Sequence, residues 1–159
     1  MVRHQWLARP GIQLELRGRV PRQVPRDLID ECRVPGANGC LRAEVVGWDN
    51  RSATPAEFLA MQDLLRRSMD EGALGLSTGL TYPPGSYAST DELVALCRTV
   101  AECGGVYVTH VRYDLGDNAF DGFREAIKIG ELSGCPLHIS HYATTTATRG
   151  KPDRLLHIV

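Results

Sequence analysis

Two histidines form the pattern in this chain best suited to chemistry. Each closes a short apolar run with strand character, Val106-Tyr107-Val108-Thr109-His110 and Leu137-His138-Ile139-Ser140-His141. Imidazoles at the C-terminal ends of successive parallel strands converge on one point above the sheet, as in the sites of α/β barrels. Neutral imidazole suits Zn²⁺, which takes three or four ligands and, when catalytic, keeps one position open for water. Two histidines fall short of that set, so other ligands must come from elsewhere. The pattern alone leaves two readings open: a shared metal or catalytic site, or two structural histidines.

A side-chain period of two puts Val106, Val108 and His110 on one strand face, with Tyr107 and Thr109 on the other. The same period groups Leu137, Ile139 and His141. It turns His138 the opposite way, as a structural histidine between sheet and helices. Arg112, just past His110, can grip a carboxylate in a bidentate pair or anchor its loop through Asp114 or Asp117. Tyr82, in the Pro83-Pro84-Gly85 loop, can line a pocket or pack on the prolines. Gly72, Gly75 and Gly79 make no dinucleotide-binding fingerprint, and no serine nucleophile elbow occurs.

The elements that must position these residues are strongly punctuated. Thr54-Pro55-Ala56-Glu57 is a capping box with proline at the first helical position, followed by Phe58, Met61, Leu64, Leu65 and Met69 at helical spacing. That helix should stop near Gly72, before a buried strand over 73–77 and a loop over 79–88. Ser89-Thr90-Asp91-Glu92 repeats the capping signal, and Gly104-Gly105 ends the helix it starts. A third helix is predicted over about 120–133, ending at Gly134, then a strand over 136–141 and a threonine-rich loop over 143–150. A short strand is expected around Glu44-Val45-Val46-Gly47, and a last helix from Asp153. The strand–helix–strand unit recurs about every 30 to 33 residues, which fits βαβ units and a parallel sheet. A solenoid of similar period would repeat in sequence, and these units agree only in layout. Residues 1–40 read as irregular, and 41–159 as the folded unit.

Composition sets outer limits. The chain has 159 residues, 43% hydrophobic and 23% charged, with a formal net charge of −1. That balance calls for neither nucleic acid nor a membrane as partner. The five cysteines form no Cys-x-x-Cys pair. Reduced thiols acting as small core side chains, in a cytoplasmic protein, are the expectation. The first 26 residues hold six arginines and one acidic residue, without the serine richness of a transit peptide.

The run from Glu71 to Leu93 (EGALGLSTGLTYPPGSYASTDEL), together with Gly104-Gly-Val-Tyr-Val-Thr-His-Val-Arg112 and Pro136-Leu-His-Ile-Ser-His141, resembles the N-acyl-D-amino-acid deacylase (D-aminoacylase) family of the amidohydrolase superfamily. The resemblance spans about residues 41–157. It implies an α/β fold, a zinc-bearing (β/α)₈ barrel of which three to four βα units, about strands three to six, are present. It implies hydrolysis of N-acyl-D-amino acids to a carboxylate and a D-amino acid. His110 and His141 then correspond to zinc ligands; Arg112 and Tyr82 stay the substrate-side candidates of the residue pattern. The family's early His-x-His, its ligand cysteine and its late general-base aspartate have no counterpart here. Ala143 stands where members often carry a lysine for the substrate carboxylate, and Thr81 where an apolar pocket wall is common. The chain therefore reads as a central fragment, inactive by itself. The alternatives are a non-catalytic remnant or half-barrel that self-associates through exposed edges, and a cyclic-amide hydrolase of the hydantoinase or dihydroorotase kind.

Overall fold

A computed structural model describes residues 38–113, 120–142, 153 and 156–158. Its elements are α1 (Asn38–Val45), α2 (Pro55–Asp70), β1 (Gly75–Gly79), a 3₁₀ turn (Gly85–Tyr87), α3 (Thr90–Glu102), β2 (Val106–His110), α4 (Asp121–Ser133) and β3 (Leu137–Ile139). The three strands form one parallel sheet in the order β1-β2-β3. This is an α/β unit in which helices α3 and α4 connect neighbouring parallel strands.

The helix boundaries follow local chemistry. The Thr54 side chain accepts from the Glu57 backbone N–H while the Glu57 carboxylate accepts from the Thr54 backbone, a complete capping box with Pro55 just inside. Ser89 caps α3 through the Glu92 N–H. Gly134, in the left-handed conformation, ends α4 and donates to the Gly130 carbonyl. The Arg51 guanidinium, with two hydrogen bonds from Thr54, holds the Glu57 carboxyl at about 2 instead of the usual 4.5. Its stabilising effect is therefore present above pH 4.5 and is lost as pH falls toward 2. Thr54→Ala is expected to cost about 1 kcal/mol of unfolding free energy in urea. The deficit relative to the parent should shrink on acidification through that same window.

One expectation is overturned at the start of the described chain. Residues 44–47 do not form a strand; α1 runs through Val45, and the chain turns at Gly47, whose φ is +82°. The β-branched Val45-Val46 pair suggested extended backbone, but tertiary contacts decide otherwise. Leu41, Arg42 and Val46 are buried at helical spacing. α1 starts at Asn38, so helix reaches into the segment read as irregular; residues before it lie outside the described set. So do the loop over 143–150, residues 114–119 and most of the segment after Asp153.

The core sits between the sheet and its helices. Leu76 and Tyr107 point into it from β1 and β2, meeting Met61 and Leu65 of α2 and Leu93, Leu96 and Val100 of α3. A second cluster packs Phe123 and Ala126 of α4 with Val111 and Phe120, against Leu137 and Ile139 of β3. Cys97 and Cys135 are buried small side chains whose thiols are pushed up by burial, whereas Cys103 is exposed; all three are free thiols. No helix among the described residues is long and apolar enough to cross a membrane.

Candidate metal centre

Register places the first histidine. His110 pairs with Gly79, and Val108 with Ser77, so these residues share the sheet face opposite Leu76 and Tyr107. β3 pairs Leu137 with Tyr107, His138 with Val108 and Ile139 with Thr109. Leu137 and Ile139 therefore face the helices, and His138 is exposed on the face of Val108 and His110. This corrects the strand-parity expectation. His138 does not lie between sheet and helices, and Leu137 and Ile139 do not share the face of His110.

His141 nevertheless meets His110. β3 stops at Ile139, and His141 takes a positive φ of 55°. The left-handed conformation costs a non-glycine residue of order 1 kcal/mol. Here it breaks the strand alternation and swings the side chain across. The two imidazoles lie with ring centres 5.4 Å apart and planes at 80°. Two imidazoles on one tetrahedral zinc, at Zn–N distances of about 2.0–2.1 Å, have ring centres about 5 Å apart. The pair thus fits a shared ion as two of its ligands. Among the described residues no group of three or more His, Cys, Asp or Glu comes together.

Aromatic rings enclose His110. Tyr82 stacks on it at 6.1 Å and 25°, and Tyr113 meets it edge-on at 4.8 Å. Tyr82 is exposed, but its loop is fixed across the top of β2. The Leu80 N–H donates to the His110 carbonyl and the Thr81 hydroxyl donates to the Val111 carbonyl. Tyr113 escaped the sequence reading. Its hydroxyl donates to the carbonyls of His141 (2.8 Å) and Ser140 (3.1 Å). Burial raises its phenol above the usual value of 10, so it stays a donor at neutral pH. Aromatic residues just past both strand ends, Tyr113 and Tyr142, were the available signal.

Arg112 has all three guanidinium nitrogens engaged. Nε donates to Glu125 at 2.9 Å, Nη1 to the Ser86 carbonyl at 2.6 Å, and Nη2 to the Ala88 carbonyl. Glu125 also accepts from Thr90. This is the geometry of a loop anchor, fastening the end of the Tyr82 loop to α4; the partners Asp114 and Asp117 considered from sequence lie outside the described residues. Gly122 allows the close approach, since a Cβ there would sit 2.4 Å from the Arg112 carbonyl oxygen. A shallow depression of about 320 Å³ is lined by Thr90, Arg112, Asp121, Arg124, Glu125 and Lys128, and shares no residue with the imidazole pair.

A curated D-aminoacylase from Alcaligenes xylosoxydans xylosoxydans is 38% identical over 121 residues, 76% of this chain and 24% of the relative. A solved D-aminoacylase, described as defining a novel subset of amidohydrolases, superposes with a TM-score of 0.68 at 38% identity, over 75% of this chain and 25% of that one. The chain is homologous to a segment of the D-aminoacylases. The N-acyl-D-glutamate deacylase of Bordetella bronchiseptica, solved with zinc and a phosphonate mimic of the tetrahedral intermediate, superposes with a TM-score of 0.66 at 32% identity, again over 75% of this chain and 25% of its own. No family model matches. The chain spans about a quarter of the length of the relatives it matches.

Proposed function

We propose that this segment supplies part of the metal centre of a zinc-dependent hydrolase acting on N-acyl-D-amino acids, releasing a carboxylate and a D-amino acid. The observation that carries the reading is the convergence of His110 and His141 at 5.4 Å, at the C-terminal end of a parallel sheet. Homology to deacylases on both sequence and structure supports it. The three strands would be part of a (β/α)₈ barrel, whose C-terminal face carries its chemistry.

Zinc, when bound, supplies Lewis-acid polarisation of the amide carbonyl and acidifies water. The chain's own residues hold and frame that ion. His110 and His141 present their imidazoles to one point, and Tyr82 closes one side of His110 as an aromatic wall toward substrate. Arg112 keeps the Tyr82 loop in place through its three hydrogen bonds. A general base and a third ligand complete such a site, and no three-donor group exists among the described residues. Turnover by the chain alone is accordingly expected to be negligible.

The substrate is a small molecule, with no role for nucleic acid or membrane, and the site belongs to a cytoplasmic protein. The test is hydrolysis by the zinc-loaded product of this coding sequence together with its flanking DNA. N-acetyl-D-glutamate and N-acetyl-D-methionine should release acetate, and their L enantiomers should not. Ring opening of hydantoin with no action on N-acetyl-D-amino acids would overturn the reading in favour of a cyclic-amide hydrolase.

A further inference from the structure

We infer that Tyr113 is a positioning residue for the imidazole pair, its hydroxyl holding the Ser140–His141 turn in the conformation that aims His141 at His110. The inference rests on the pair's reading as metal ligands. Continued strand alternation would send His141 to the helix side with Leu137 and Ile139. The left-handed φ of 55° at His141 prevents this, and such a conformation in a histidine persists only where its surroundings impose it. Tyr113 touches both histidine-bearing strand ends. Its ring meets the His110 ring edge-on at 4.8 Å, and its hydroxyl donates to the His141 and Ser140 carbonyls at 2.8 and 3.1 Å. Phe123 of α4 braces the Tyr113 ring edge-on at 5.8 Å and contacts Tyr142 at 5.1 Å, closing a ring-to-ring path from one strand end to the other.

Tyr113→Phe keeps the ring and its packing and removes only the hydroxyl. The purified chain, Tyr113→Phe, His110→Ala and His141→Ala are titrated with Co²⁺ followed by visible absorption. The three-bond HN–Hα coupling and Cα shift of His141 are measured by NMR without metal. Tyr113→Phe is expected to bind Co²⁺ about tenfold more weakly, on the scale of losing a contact that orients a ligand. Its His141 coupling should leave the left-handed value while the rest of the spectrum stays native. Unchanged affinity and unchanged coupling in Tyr113→Phe would overturn the inference. If neither histidine variant alters Co²⁺ binding, the ligand reading fails, and the metal-free coupling still decides whether Tyr113 holds the turn. If Tyr113→Phe does not fold, the parent's Tyr113 hydroxyl proton decides. A slowly exchanging resonance with a nuclear Overhauser contact to His141 supports the inference, and a freely exchanging one overturns it.

Discussion

Glu92→Gln is expected to lower the unfolding free energy of the chain by about 3–5 kcal/mol, read from urea denaturation. Arg42 is fully buried on α1, and its Nη1 donates to both Glu92 carboxylate oxygens at 2.8 and 2.6 Å. Nη2 donates to the Arg51 carbonyl at 2.8 Å, while Nε finds no acceptor among the described residues. The pair ties α1 to α3 and to the linker that leads into α2. Neutralising Glu92 leaves a guanidinium in the core without its counter-charge, and the cost of that stranded charge exceeds the net worth of the pair. The double variant Arg42→Met/Glu92→Leu removes both charges together. It should recover most of the lost stability, and a double variant no better than Glu92→Gln would show that geometry, not charge, sets the cost.

Gly75→Ala is expected to destabilise by about 3 kcal/mol or more, or to prevent folding. Gly75 opposes Val106 in the β1–β2 register, and a Cβ there would lie 1.9 Å from the Val106 carbonyl oxygen. The obstacle is the backbone of the neighbouring strand, which cannot turn aside as a flexible side chain can. Gly79→Ala, on the same strand, is the matched control. Among the described residues its Cβ meets only Tyr82 Cδ2, at 3.7 Å, and its cost should stay within about 1 kcal/mol. Equal effects of the two replacements on the melting temperature would contradict the steric account.

Much of this architecture was legible because its signals are local. The Thr54 capping box, the Ser89 cap and the Gly134 stop specify helix ends from four or five adjacent residues, and β2 runs over the predicted 106–110. What failed depended on partners far away in sequence. Val45 and Val46 have strand character, but the burial of Arg42 against Glu92, fifty positions on, holds that segment as helix. Strand parity assumed β3 ran through His141. The strand ends at Ile139, so the face of His138 and the route by which His141 reaches His110 were both misread. Convergence of the two imidazoles was foreseen, though for a mistaken geometric reason. Tyr113 was passed over although an aromatic residue follows the strand end, because its hydrogen bonds reach carbonyls 27 and 28 residues downstream.

The central claim is that His110 and His141 hold one zinc between them, and equilibrium zinc titration of the chain tests it most directly. The account predicts one site per chain, weakened by roughly tenfold or more in His110→Ala and in His141→Ala. The double variant should show no zinc bound at this site, because both rings serve one ion. Zinc binding untouched by either replacement, or two bound ions of which each replacement removes one, would contradict it.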